Sequence, residues 1–122
     1  MRSIAARLVR RTGQQLLAVR HRRTLAATDP GADAAIDAAL DWLCRAQDSS
    51  RTADGGVARH YGLRDGWGAS YPETTGYIVP TLIDQAGRRG RPELLDRARR
   101  MLDWLVAIQF PDGGDFHRLR AQ

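Results

Sequence analysis

The sequence predicts an all-α fold built from antiparallel helical hairpins, with a basic helix in front of them. Three observations predict it. Apolar residues recur at spacings of three and four in separate stretches. Breaks rich in Gly and Pro separate those stretches. One segment returns at an offset of 62 residues, the mark of a repeated structural unit.

At 122 residues the chain is at most one domain. A domain of this size buries roughly two-thirds of its unfolded surface, enough for a modest core. Its divisions are a basic leader helix over residues 1–28, a two-hairpin domain over residues 29–114 and a polar tail over residues 115–122. The single cysteine, Cys44, excludes an internal disulfide and cannot build a zinc site alone. Lying between Leu43 and Arg45 in a helical stretch, it reads as an inert, buried or half-buried thiol. No run approaches the ~20 apolar residues that cross a bilayer, and the expected location is the cytoplasm.

The net charge of +5 conceals two different segments. Residues 1–28 carry Arg2, Arg7, Arg10, Arg11, Arg20, Arg22 and Arg23 and no acid. The other 94 residues carry 12 arginines against 14 acids, a net of −2. Basic character thus belongs to the leader and not to the body. Every basic side chain is Arg and none is Lys, which with abundant Ala and Gly resembles GC-rich coding more than selection for phosphate contacts.

The leader places Ile4, Ala5, Leu8, Leu16 and Val19 on one side of a helix, with Gly13 in the middle. Three readings stand: a packed leading helix with a solvated arginine face, a contact with anionic lipid or another acidic surface, or an organellar targeting peptide. No apolar h-region follows the arginines, which disfavours a secretory signal. Thr28-Asp29-Pro30-Gly31 breaks the chain, and a helix follows from Ala32 to Gln47. Ile36, Ala39, Leu40 and Leu43 form its apolar side, and Asp33, Asp37 and Asp41 lie along another. Acids in its first turn suit the positive end of the helix dipole.

Residues 48–69 read as a long polar connection holding Asp54-Gly55-Gly56 and Asp65-Gly66-Trp67-Gly68. Connections beyond ~12–15 residues are uncommon and often functional. The central helix then opens with Ser70 and Glu73 spaced as a capping box and Pro72 in the first turn. Its expected apolar stripe is Tyr77, Ile78, Leu82 and Ile83, with Pro80 as a kink and Gly87 as a stop. Arg88-Arg89-Gly90-Arg91 makes a turn, and Pro92 starts the last helix, residues 92–109. Leu94, Leu95, Ala98, Met101, Leu102, Leu105 and Ile108 form its stripe.

The repeat joins these pieces. Leu40-Asp41-Trp42-Leu43-Cys44-Arg45-Ala46-Gln47 matches Leu102-Asp103-Trp104-Leu105-Val106-Ala107-Ile108-Gln109, with Leu, Asp, Trp, Leu and Gln in place. Each copy runs into Asp-Gly-Gly, at Asp54-Gly55-Gly56 and at Asp112-Gly113-Gly114. A single hairpin cannot hide its own apolar faces and must stack on neighbours. Trp42, Gln47, Trp104 and Gln109 are therefore expected to close layers between hairpins.

Two hairpins with Trp-Leu and Gln ahead of a Gly-rich turn resemble the α/α-toroid proteins, which include terpenoid cyclases, protein prenyltransferases and six-hairpin glycosidases. The stretch from Trp67 to Leu82 is similar to bacterial prenyltransferase/squalene-oxidase-repeat-like proteins, some encoded with polysaccharide biosynthesis genes. The resemblance spans about residues 32–114 and implies a partial toroid. It departs from squalene cyclases at Val57 and Asp115, where a Trp would be expected, and their aspartate-rich proton-donor motif has no counterpart. The zinc ligands of protein prenyltransferases are not recognisable either. A complete toroid needs more hairpins than two, so a fragment or truncated member is expected.

For chemistry, Glu73 is one of two glutamates and sits at a helix mouth near Trp67, Tyr71 and Tyr77. A carboxyl with flanking aromatics suits a sugar: acid or base work, with stacking on the apolar face of the ring. Glu73 is the candidate catalytic residue, and Trp67, Tyr71, Tyr77, His60 and Asp65 are the candidate substrate contacts. Glycoside chemistry needs a second carboxylate, for which Asp65 and Asp54 are the loop candidates. Closing a capping box is the simpler role for Glu73, and a surface position the simpler one for His60. His21 and His117 have no metal partners, no helix shows metal-ligand spacing, and no phosphate loop is present. Neither cofactor nor metal is expected, nor nucleic acid, since arginines without interleaved aromatics do not make a known module. The sequence supports a carbohydrate- or isoprenoid-handling toroid fragment, itself inactive or active. The alternative is a non-catalytic helical-repeat module that binds a protein partner or itself through uncovered helical faces.

Overall fold

The computed structural model describes residues 28–109, together with Leu16, Val19, Arg20 and Pro111. Most of the leader lies outside the described residues, as do His21, Asp112-Gly113-Gly114, His117 and the tail. The elements are α1 (Ala32–Asp48), β1 (Tyr61–Gly62), β2 (Gly66–Trp67), α2 (Pro72–Arg89) and α3 (Glu93–Ala107). The described chain is mostly helical with one two-stranded sheet, so the all-α expectation holds at that level.

Helix α1 starts after Gly31, whose φ of +87° suits a residue without a Cβ. Asp29 accepts the Gly31 N–H at 2.8 Å and bends the chain into the helix. Leu40, Cys44, Ala46 and Gln47 form its buried side.

Helix α2 begins at Pro72 as expected, but the capping box does not form. Tyr71 is the N-cap residue and no side chain caps the helix. The Ser70 hydroxyl is instead engaged by Asp54, Ser50 and Thr52 across the preceding loop. The buried side of α2 is Thr75, Val79, Leu82 and Ala86, with Ile78 beside it. Tyr77 and Ile83 point outward, so the predicted stripe is rotated. Thr75 explains the rotation: its Oγ1 donates to the Tyr71 carbonyl at 2.8 Å and accepts the Val57 N–H at 2.9 Å. A hydroxyl so satisfied can be buried, and Thr75 stands on the core side of the helix. The helix continues through Pro80 and past Gly87, and stops at Gly90, φ +60°. There the Gly90 and Arg91 N–H groups both reach the Ala86 carbonyl, a left-handed glycine cap.

Helix α3 is shorter than predicted at both ends, with Pro92 as its N-cap residue. Leu94, Ala98 and Met101 are buried, while Leu95 and Leu102 are exposed.

The 49–71 connection is folded, not loose. Its second half is an antiparallel ribbon in which Tyr61 faces Trp67 and Gly62 faces Gly66. Backbone bonds from Tyr71 to Val57, Arg59 to Ala69 and Gly68 to His60 extend the pairing. Gly66, at φ +70°, turns the hairpin. The Ala58 N–H donates to the Ala46 carbonyl, which ties the ribbon to the end of α1.

α2 and α3 form an antiparallel hairpin, and α1 packs on it through one apolar cluster that includes Leu40, Val57, Val79, Leu82, Leu94 and Met101. Arginines fix the direction of α1. Arg89, at the end of α2, pairs with Asp33 (3.0 Å) and Asp37 (2.9 Å) near the start of α1. Arg91 pairs with Asp41 (3.0 Å), and Arg97 with Asp48 (2.8 Å). α1 therefore runs antiparallel to α2 and alongside α3 in the same sense.

Candidate functional site

The residues singled out in the sequence fall into two groups. Glu73 and Tyr77, one turn apart on α2, share an open groove of ≈ 410 Å³ with Gly76 and with Leu105, Ile108 and Gln109 at the end of α3. Pro72 sets the start of α2 and so places Glu73 in its first turn. The groove offers a carboxylate, a phenol and a carboxamide around an aliphatic floor. Such a set can stack on and hydrogen-bond a ligand, and Glu73 is its one acidic lining residue.

Trp67 belongs to the second group. Its ring lies 5.0 Å from Trp42 of α1 and 4.9 Å from Tyr61, tilted to the first and edge-on to the second. Trp67 also packs against the core. Rings inclined to one another lock the ribbon onto α1. Tyr71 carries the Arg59 guanidinium over its ring, 4.6 Å from the centroid. His60 is exposed, with its imidazole against Gly68, where an added Cβ would come within 2.9 Å of the ring. Asp65 is exposed in the turn of the hairpin. Neither Asp65 nor Asp54 lines the Glu73 groove.

Asp54 lines a different cleft, of ≈ 450 Å³, with Gly55, Arg100, Asp103 and Trp104. Sequence reasoning did not bring Arg100 or Asp103 to this place. The signal was present in the repeat, because the second copy's Trp lands on the first copy's Asp-Gly-Gly turn. A Cβ at Gly56 would lie 2.6 Å from the Trp104 ring. Asp54 Oδ1 also accepts the Gly56 N–H at 3.2 Å and the Ser70 hydroxyl, so this carboxylate is employed in shaping the turn.

Gln47 is a buried polar residue with both ends of its amide bonded. Its Nε2 donates to the carbonyls of Gly55 (2.9 Å) and Arg97 (3.2 Å), and its Oε1 accepts from Arg97 Nη1 (3.1 Å). Arg97 also reaches the Cys44 carbonyl (3.2 Å) and both Asp48 carboxylate oxygens (2.8 Å each). One guanidinium thus satisfies a C-terminal carbonyl of α1 and its last acid. The Arg97 hydrogen bond holds the Asp48 carboxyl below its usual pKa. Burial pushes the Cys44 thiol up, which makes it a poor nucleophile.

The repeat is asymmetric in burial. Leu40 (2% exposed), Cys44 (8%) and Gln47 are covered in the first copy. Their equivalents in the second copy are open: Leu102 (45%), Val106 (67%) and Gln109. Among the described residues, no group of His, Cys, Asp or Glu is arranged to hold a metal ion. No described helix is long and apolar enough to cross a membrane. In comparisons with known proteins, the chain matches no family model, no curated protein and no solved structure.

Proposed function

We propose that this chain is a non-catalytic helical-repeat module of the α/α-toroid type that engages another polypeptide through the uncovered side of α3. The observation that carries the reading is the unequal burial of the two copies. Where the first copy presents Leu40, Cys44 and Gln47, the α2–α3 hairpin and the Asp54 turn cover them. The second copy presents Leu102, Val106 and Gln109 in the same frame, exposed among the described residues. An apolar helix side in that state is an interaction surface.

The test is a photo-crosslinking residue at position 106 of the full chain, in the cells that express it, with position 45 as control. A covalent adduct to a second polypeptide at 106 and not at 45 is expected, its identity read by mass spectrometry. Adducts formed only within one molecule, or equal yields at both positions, would overturn the reading.

A second reading rests on the Glu73 groove. A partial toroid that holds a carbohydrate without cleaving it would use Glu73 and Gln109 as hydrogen-bonding groups and Tyr77 as the stacking ring. Hydrolysis has less support, because the second carboxylate it needs does not line this groove. Under this reading Tyr77→Ala and Glu73→Gln each abolish oligosaccharide binding measured by titration calorimetry. A wild-type chain that takes up no sugar removes it.

A further inference from the structure

The uncovered side of α3 has a charge pattern that selects its occupant. Leu95, Leu102 and Val106 lie along one stripe at spacings of seven and four, exposed by 49%, 45% and 67%. Beside that stripe, on the same flank, stand Arg99 and Asp103, both exposed. Neither takes part in an ion pair among the described residues, although the Asp41 that matches Asp103 in the first copy pairs with Arg91. A helix carrying a cation and an anion one turn apart on one flank is complementary to itself when reversed. A two-fold axis perpendicular to the helix keeps the flank and inverts the direction. Centred at Met101, it sets Arg99 opposite Asp103 of the other copy and Leu95 close to Val106, each twice.

We propose that a second copy of this chain occupies this face, with the two α3 helices packed antiparallel across a two-fold axis. The inference rests on the module reading above and names its partner. The interface is isologous: the same stripe serves both subunits and the contact closes at two. Apolar burial of the leucines and valine supplies affinity, and the two Arg99–Asp103 pairs set orientation and register. The pairing also covers the positions that the first copy of the repeat covers internally.

The experiment uses the full chain and four samples: wild type, Arg99→Asp, Asp103→Arg, and an equimolar mixture of the two variants. Sedimentation equilibrium at about 1 to 100 µM spans the affinities expected of a small interface. Wild type is expected at twice the 13.6 kDa monomer mass. Each variant alone sets like charges opposite one another at both sites and should self-associate at least about tenfold more weakly. The mixture restores opposite charges at both sites and should recover a heterodimer near wild-type strength. A purely structural effect of either substitution would not be repaired by mixing. Circular dichroism melts confirm that both variants fold, as expected for exposed positions.

A monomeric wild type overturns the proposal. So do variants that dimerise as wild type does, or a folded mixture that fails to recover. The crosslinking experiment separates this failure from that of the module reading. A foreign chain attached at position 106, with wild type monomeric, removes the dimer and leaves the module. No intermolecular adduct at 106 removes the module itself.

Discussion

Gln47 and Gln109 occupy the same place in the repeat, and only one of them is structural. Gln47 is buried with both ends of its amide bonded, to Gly55 and to Arg97. Replacing it with Leu would take the donor from the Gly55 carbonyl and remove one acceptor from the Arg97 guanidinium. A buried polar group left unsatisfied costs about 1–3 kcal/mol. Gln47→Leu should therefore lower stability by about that amount in chemical denaturation, while Gln109→Leu changes it by less than about 0.5 kcal/mol. Equal effects would show that the two copies are packed alike. Gly56 is a second residue of this kind, requiring close approach and not special φ. Its Cβ would sit 2.6 Å from the Trp104 ring and 2.7 Å from Ser70 Cβ. Gly56→Ala should cost about 1–3 kcal/mol by overpacking, read as a lowered denaturation midpoint. The repeat placed Trp104 and the glycine turn in the sequence, but no periodicity could say that they touch.

Among the elements, α1 is docked by its acids as well as by its apolar side. Asp48 is the clearest case, because its two oxygens meet Arg97 and its pKa is depressed by that bond. A carboxylate whose folded pKa is below its unfolded value adds stability above the unfolded value. That stability fades as pH falls through the ordinary aspartate range, about 3.9, toward the lower folded pKa. Wild type should thus exceed Asp48→Asn in stability at pH 7, and the gap should close below about pH 4. Melts at both pH values read the difference, and a gap independent of pH would assign the effect to packing. The α2 terminus is a second element-scale device. Gly90 caps the helix at φ +60°, where a side chain is strained whatever the space. Gly90→Ala should cost about 1 kcal/mol. The sequence offered Gly87 as the stop, three residues early, since the choice between two glycines belongs to the carbonyl that the cap must satisfy. The ribbon in the 49–71 connection was missed for a related reason. Asp65-Gly66 is a turn signal, but strands of two residues carry too little alternation to be read.

At the scale of the whole molecule, the helices α1, α2 and α3 of the described residues form a layer with one side closed and the other open. Apolar residues on α3 exceed what α2 and α1 can cover, which is why the predicted stripe from Leu94 to Ile108 was wider than the buried one. A helix that is apolar over so broad an arc belongs between two neighbours. The order and kind of the helices, the Pro72 start, the buried Cys44 and the duplicated segment were all legible in the chain, because spacing, caps and breaks are local properties. Folding decided which face of each helix is inside, because that depends on what lies opposite: Thr75 entered the core once Val57 came to bond it, and Tyr77 left it. Folding likewise parted Glu73 from Trp67, since the first turn of α2 looks toward α3 while the ribbon leans on α1. Proximity along a chain sets which groups are available, and only the packing of distant segments sets which of them meet.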